Sequence, residues 1–140
     1  MPNHLEYLNP STLPQSPGYT QVVKASGETF VFISGQVALN VEGQVVGEGD
    51  LRAQATQVFE NLRAALAAAG TTFDNVIKLT YFVVNLKRDD GLLLREIRPG
   101  YLNQARPPAS TLIGVMGLFD PRWLIEIEAV AVIPARGETA

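Results

Sequence analysis

The clearest pattern along the chain is a long stretch with the period of a helix. Between residues 51 and 69 apolar side chains recur every three or four positions, so that they fall on one helical face. Asp50 stands where an N-cap is preferred, and Gly70 stands where helices commonly end. A second helix is predicted from Asp89 onward, because acidic residues suit a first turn, and Pro99 would kink or divide it. We therefore predict two helices, of which the first is long and amphipathic.

Strand patterns occupy most of the remaining chain. Runs rich in β-branched and aromatic residues predict strands at residues 19–25, 29–36, 41–46, 76–84, 109–115 and 124–133. The tripeptide Ser-Gly-Glu at residues 26–28 is typical of a turn, so we expect the first two strands to form a hairpin. The order of elements predicts an α+β fold in which two helices cover one side of a sheet.

The two longest strands carry apolar residues on both of their faces. Along residues 124–133, isoleucine and alanine alternate with valines and two glutamates. Along residues 76–84, Val76 and Phe82 fall on one face while Leu79 falls on the other. Two helices can cover only one face of such a sheet. We therefore expect the other face to pack against a second copy of the chain in a homo-oligomer.

The length and composition are those of one globular domain. The chain has 140 residues, of which 46% are hydrophobic and 18% charged, enough for one core. We expect an irregular lead-in at residues 1–18, a single domain at residues 19–134 and a tail at residues 135–140. No apolar run is long enough for a membrane span, and the first residues lack the order of a secretory signal. These features predict a cytoplasmic protein that has no membrane partner.

Several kinds of active site are excluded by the residue types present. The chain has no cysteine and a single histidine, His4. A cysteine nucleophile, a cysteine-based metal site and a histidine-based triad within one subunit are therefore excluded. The net charge is -3, and no basic run interleaves with aromatic residues. Nucleic acid is consequently not an expected partner.

An ordered set of short motifs resembles the Rid family. These motifs are Tyr19, ISGQ at residues 33–36, the helix end AAAG, the strand KLTYFV, the turn RPPAST and the closing IEIEAVAV. Rid proteins are the reactive intermediate deaminases, also known as the YjgF or "endoribonuclease L-PSP" family, and the resemblance runs from about Tyr19 to Val132. It implies a chorismate-mutase-like fold, a homotrimer and three ligand clefts between subunits. It further implies hydrolysis of enamines and imines to a 2-keto acid and ammonia without metal or cofactor.

The resemblance assigns roles to residues of three strands. Glu126, the first glutamate of IEIE, matches the residue that holds or activates the attacking water. Tyr19 matches a tyrosine that lines the cleft, and Ser34-Gly35 matches a pair whose hydroxyl and backbone N–H face the ligand. The residue types by themselves are also compatible with structural roles. Tyr19 suits an ordinary strand aromatic, Ser34-Gly35 suits a β-bulge, and Glu126 with Glu128 suits a solvated carboxylate stripe or an acid/base pair.

The turn RPPAST, residues 106–111, departs from the family pattern. In the family's active deaminases an arginine follows the Pro-Ala of this turn, and its guanidinium binds the substrate carboxylate. Here Ser110 falls at that place, and Thr111 is the other candidate because the segment that follows is slightly longer. Arg106 at the start of this turn and Arg122 in the next loop are candidates to replace the missing arginine, and the alternative for each is a solvated loop charge. We therefore expect weak or no deamination of simple amino-acid imines.

Three functions remain on these grounds. We favour a cofactor-independent hydrolase of imines, enamines or related small carbonyl compounds, in which Glu126 guides water and Tyr19, Ser34 and Ser110 or Thr111 orient the substrate. The second function is a trimer that binds a small metabolite at the same cleft without turnover, as a sensor or partner protein. The third, a ribonuclease or translation inhibitor, is disfavoured by the acidic charge and the single histidine.

Overall fold

The helices and strands follow an order close to the predicted one. The computed structural model of the protein describes residues 4–15 and 18–135. The helices of this part are α1 (Leu51–Ala68) and α2 (Arg88–Ile97). Short 3-10 turns, Phe73–Asn75 and Arg98–Gly100, come after them. The strands are β1 (Leu5–Leu8), β2 (Val22–Ala25), β3 (Thr29–Gln36), β4 (Val76–Val84), β5 (Ala109–Val115) and β6 (Ile125–Ile133).

Four of the strands form a mixed sheet in the order β3-β6-β4-β5. β6 pairs antiparallel with β3 and with β4, whereas β4 pairs in parallel with β5. Because parallel neighbours need a crossover, the segment with α2 connects β4 to β5. α1 packs against β3, β6 and α2. The predicted α+β fold, a mixed sheet with two helices on one side, is therefore confirmed.

Both helices begin and end for the reasons that the sequence indicates. The side chain of Asp50 accepts a hydrogen bond from the N–H of Ala53 at 3.1 Å, which makes it the N-cap of α1. Gly70 has a φ of +81°, the left-handed conformation that favours glycine after a helix. α2 ends at Ile97, and Pro99 lies in the 3-10 turn that follows.

Neither α1 nor α2, the α-helices of the described segments, is long and apolar enough to cross a membrane.

The predicted hairpin of the first two strands is wrong. β2 pairs antiparallel with β1 along its whole length, while β3 pairs with β6. Gly27 does not have the positive φ of a tight hairpin turn, and a Cβ on it would lie 2.5 Å from the carbonyl oxygen of Ile133. This glycine therefore allows close packing against β6. β1 also corrects the expected irregular lead-in, because residues 5–8 form a strand.

The short strand predicted at residues 41–46 is also wrong. The segment makes one isolated bridge, between Leu39 and Val45. The side-chain oxygen of Asn40 accepts hydrogen bonds from two later backbone N–H groups. Such side-chain bonds close a turn locally, so too few residues remain for a ladder.

The first residues of β4 and β6 differ from the prediction. Val76 is buried on the helix side with Leu79, because the pairing register slips between Val76 and Lys78. A slip of this kind, a β-bulge, turns the first residues of the strand relative to the rest. Leu124 lies just before β6, where its N–H donates to Oε1 of Gln54 at 2.8 Å.

The sheet face opposite the helices carries exposed apolar side chains in the part of the chain that the structure describes. Phe30 is 57% exposed and Phe32 is 77% exposed on β3. On β4 and β5, Phe82 lies beside Ile113, which is 37% exposed. We call this surface the open face. Its apolar residues are the observation on which the expected homo-oligomer depends.

Candidate functional site

Glu126 lies on the open face, directly against the backbone of Gly35. A Cβ on Gly35 would lie 2.7 Å from the carboxyl carbon of Glu126, and closer still to its Oε2. The pairing register of β3 and β6 slips between Ile33 and Gln36, so Ser34 and Gly35 lie in an irregular, bulged segment. The β-bulge that the sequence allows at Ser34-Gly35 is therefore present, and Glu126 approaches its backbone closely. Glu126, Ser34 and Gly35 form the first group of predicted site residues.

Tyr19 and Ser110 form a second group, at the other edge of the sheet. They line one cavity of about 330 Å³. Thr20 holds Tyr19 in place, because its N–H donates to the carbonyl of Pro108 at 3.2 Å and its hydroxyl donates to the carbonyl of Pro107. The two prolines of RPPAST thus supply carbonyl acceptors as well as a rigid turn.

Three arginines of α2 and the turn after it complete this cavity. Arg88, Arg95 and Arg98 line it together with Ser110 and Tyr19. Their spacings of seven and three residues place them on one helical face. That spacing is visible in the sequence, but only the fold shows that this face meets the Ser110 end of β5. We call the space between α2 and β5 the arginine cavity.

Tyr81 forms the buried wall of the arginine cavity. Its side chain is 1% exposed, and its hydroxyl has no hydrogen-bond partner within residues 4–15 and 18–135. Burial raises the pKa of Tyr81 to about 12, although the nearby positive charge of Arg98 opposes this shift. The guanidinium carbon of Arg98 lies 5.6 Å from the centre of the Tyr81 ring. The buried Nε of Arg98 likewise has no partner in the described part of the chain, while Nη1 donates to the Gly18 carbonyl at 3.4 Å.

Thr111 and Arg106, the other candidates of the RPPAST turn, lie elsewhere. Thr111 is paired in register with Thr80 on the open side of the sheet, and its hydroxyl accepts a hydrogen bond from Nζ of Lys78 at 2.6 Å. Arg106 is exposed and does not line the arginine cavity. Burial raises the pKa of Tyr7, and the positive charge of Arg106 opposes that shift. The structure therefore brings Ser110, and not Thr111 or Arg106, to the cavity.

Arg122 is engaged by a neighbouring carboxylate. Its Nε and Nη2 donate to the two carboxylate oxygens of Asp120 at 3.0 and 2.8 Å. These hydrogen bonds lower the pKa of Asp120 to about 2. The backbone carbonyl of Arg122 also accepts from Nε2 of Gln54 at 2.9 Å. Arg122 thus serves to order its loop and does not reach the arginine cavity.

The two groups of site residues do not meet within one chain. β3 and β5 are the opposite edges of the sheet, three strand spacings or roughly 14 Å apart. Ser110 is in register with Leu79, which faces the helices, whereas Glu126 is in register with Phe82 on the open face. The predicted site residues of a single chain therefore form two separate groups.

Comparison with known proteins identifies one family. A sequence model described as Endoribonuclease L-PSP matches residues 11–133. A RutC family protein from Synechocystis sp. is 37% identical over 118 residues, 83% of this chain and 86% of that protein. A 2-iminobutanoate/2-iminopropanoate deaminase from Dermatophagoides farinae is 32% identical over 121 residues, 86% of this chain and 90% of that protein.

The solved structures agree with the sequence comparison. The crystal structure of a protein of the conserved Rid family from Yersinia pestis matches with a TM-score of 0.88 at 36% identity. The match covers 93% of this chain and 99% of that chain. Sequence and fold thus agree over nearly the whole length, and the chain belongs to the Rid family, whose sequence model is described as endoribonuclease L-PSP.

Proposed function

We propose that the protein is a cofactor-independent hydrolase of imines, enamines or related small carbonyl compounds. The observation that carries this proposal is the carboxylate of Glu126 held against the bare backbone of Gly35. Because Gly35 has no side chain, its backbone beside the carboxylate is open. A water bound there can donate a hydrogen bond to the carboxylate of Glu126. The similarity to a protein named 2-iminobutanoate/2-iminopropanoate deaminase supports the same reaction class.

The reaction needs only water and a proton acceptor. Glu126 takes a proton from water as the water oxygen adds to the imine carbon, and it then passes this proton to the imine nitrogen, so that the carboxylate is regenerated. The resulting carbinolamine loses ammonia when its carbon–nitrogen bond breaks and the hydroxyl proton is transferred to the departing nitrogen. One water is consumed, one ammonia and one carbonyl compound form, and no electrons are exchanged. Tyr19, Ser34 and Ser110 orient the substrate by hydrogen bonds.

The complete site needs two copies of the chain. The half-site with Glu126 lies near the β3 edge, and the half-site with Ser110 lies on the β5 edge. A neighbour that docks its β3 edge beside this β5 edge joins the two halves and covers the open face with its exposed phenylalanines. We assign this arrangement to a homotrimer with three equivalent clefts.

One observation favours a second candidate, a trimer that binds a metabolite without turnover. Ser110 stands where the resemblance places the carboxylate-binding arginine of active deaminases, so the β5 edge itself provides no positive charge. A protein that only binds its ligand retains affinity for a carbonyl compound but releases no ammonia.

Turnover and its dependence on Glu126 decide between the two. An amino-acid oxidase supplies imines in the assay, and the protein's acceleration of ammonia and keto-acid release is measured. We expect Glu126→Gln to lower kcat by about 10²- to 10⁴-fold, the usual contribution of a positioned general base. Glu128→Gln is the matched control, because Glu128 is an exposed carboxylate on the same strand, and the atoms nearest to a Cβ on Gly35 all belong to Glu126. Equal losses in both variants would support an acid/base pair instead, and no acceleration by the wild type would support the binding protein.

A further inference from the structure

We propose that the arginine cavity binds the carboxylate of the substrate, with Arg95, Arg98 and the Tyr81 hydroxyl as its donors. The cation that the β5 edge lacks is then supplied by α2 and the turn that follows it. The inference rests on the proposed function, because it assigns the cavity to the substrate of that reaction. It departs from the family pattern, because guanidinium groups of α2 and the following turn take the place of one on β5. It also replaces the expectation that the loss of an arginine at position 110 removes carboxylate recognition.

The charges around the cavity favour an anion. Arg88, Arg95 and Arg98 contribute three guanidiniums, and no acidic side chain of the described residues lines the same space. Within residues 4–15 and 18–135, the ion pairs involve other cations: Lys24, Arg52, Arg63 and Arg122. Three like charges around one space repel one another, and a bound carboxylate relieves this repulsion. Guanidinium groups also match the two oxygens of a carboxylate geometrically.

Tyr81 provides an independent sign of a missing ligand. Buried polar groups are nearly always hydrogen-bonded, yet the hydroxyl of this fully buried tyrosine has no partner among the described residues. Because burial raises its pKa to about 12, the group stays protonated at neutral pH and can donate. An oxygen of a bound anion satisfies this donor, and it also satisfies the unpartnered Nε of Arg98 if it lies between them.

The position of the cavity suits a substrate that reaches toward a second subunit. Ser110 and Leu112 of the edge strand β5 form one wall, and Tyr19 forms another. A volume of about 330 Å³ exceeds that of a carboxylate alone and leaves room for a short carbon chain. The small side chain of Ser110 keeps this space open, whereas a long side chain there would fill it.

Calorimetric titration of the oligomer tests the inference directly. The probes are 2-oxobutanoate, which carries a carboxylate, and 2-butanone, which matches it without the charge. We expect the keto acid to bind and the ketone not to bind. Arg95→Gln should weaken binding of the keto acid about tenfold or more, the usual effect of one lost hydrogen bond to a charged group. Tyr81→Phe should also weaken binding of the keto acid.

The controls separate this site from a general charge effect. Arg63→Gln removes the same charge from α1, where Arg63 pairs with Glu60 and does not line the cavity. It should leave the affinity unchanged. An unchanged affinity in Arg95→Gln, or equal binding of the two probes, overturns the inference. Inorganic phosphate is the third probe, and binding tighter than that of the keto acid overturns the assignment to a carboxylate.

The inference and the proposed function can fail separately. One outcome is turnover that depends on Glu126, with the same KM in wild type and Arg95→Gln. This result supports the hydrolase and contradicts carboxylate binding in the arginine cavity. Binding of 2-oxobutanoate that depends on Arg95, without any ammonia release, supports the cavity and contradicts the hydrolase.

Discussion

The carboxylate of Glu126 occupies the space where a side chain on Gly35 would begin. This relationship joins β6 to the bulged end of β3 and explains why a glycine stands in an otherwise bulky strand. It also orders the carboxylate on the open face, because the bare backbone of Gly35 is the surface against which the carboxylate packs.

Gly35→Ala is expected to displace Glu126 while the fold is retained. The atoms in conflict with the new methyl group belong to a flexible side chain, so the carboxylate moves aside at a cost of about 1–3 kcal/mol. We expect kcat to fall toward that of Glu126→Gln, as measured by ammonia release. Gly100→Ala is the control, because a Cβ there meets nothing within 4 Å. Full activity in Gly35→Ala would show that the position of Glu126 is unimportant.

Tyr81→Phe is expected to stabilise the ligand-free protein. The substitution removes a buried hydroxyl that has no partner among the described residues, which relieves a penalty of about 1–3 kcal/mol. Tyr101→Phe provides the contrast, since it removes a hydroxyl that donates to Glu60 at 2.7 Å and should not stabilise. The measurement is chemical denaturation at neutral pH. A large loss of stability in Tyr81→Phe would show that the hydroxyl has a partner in the folded protein.

The same tyrosine predicts a loss of stability in alkali. An ordinary tyrosine has a pKa of about 10, whereas burial raises the pKa of Tyr81 to about 12 in the folded chain. Below pH 10 the tyrosine is protonated in both the folded and the unfolded chain. As the pH rises through 12 the free energy of unfolding falls, because the unfolded chain releases the tyrosine proton first. We expect the advantage of Tyr81→Phe over wild type to grow across this window in denaturation curves. An advantage that does not change with pH would contradict the raised pKa.

The exposed phenylalanines of β3 predict the surface on which the oligomer forms. We expect light scattering of the wild type to give three times the chain mass of 15.2 kDa. Phe32→Glu should lower this mass, because it puts a charge on an apolar face that a neighbour would bury. Leu13→Glu, which alters an exposed leucine outside the sheet, is the control. A monomeric wild type would contradict the shared cleft.

Local signals in the sequence were enough for most of the fold. The period of α1, the cap Asp50 and the stop at Gly70 depend on neighbours in the chain, and the structure has all three. The hairpin at residues 26–28 failed because Gly27 is needed for an approach to Ile133, more than 100 positions away. No turn pattern records a contact of that range.

The candidate site was only partly visible in the sequence for a related reason. The Rid motifs pointed to Tyr19, Ser110 and Glu126, and the resemblance implied clefts between subunits. No motif indicates that Ser110 and Glu126 lie on different strands and opposite faces of one sheet. The arginines of the cavity belong to none of the motifs. Their shared helical face acquires a meaning only when β5 packs beside it.

Mixing two inactive variants tests the shared site most directly. Glu126→Gln damages the half-site near the β3 edge, and Ser110→Asp damages the other half by placing a carboxylate beside the guanidiniums of the arginine cavity. The two variants are coexpressed with different tags, oligomers that carry both tags are isolated, and imine hydrolysis is measured. We predict that each variant alone is inactive and that mixed oligomers regain activity, because some clefts then receive an intact half from each subunit. Mixed oligomers that form but remain inactive would contradict a site shared between two copies of the chain.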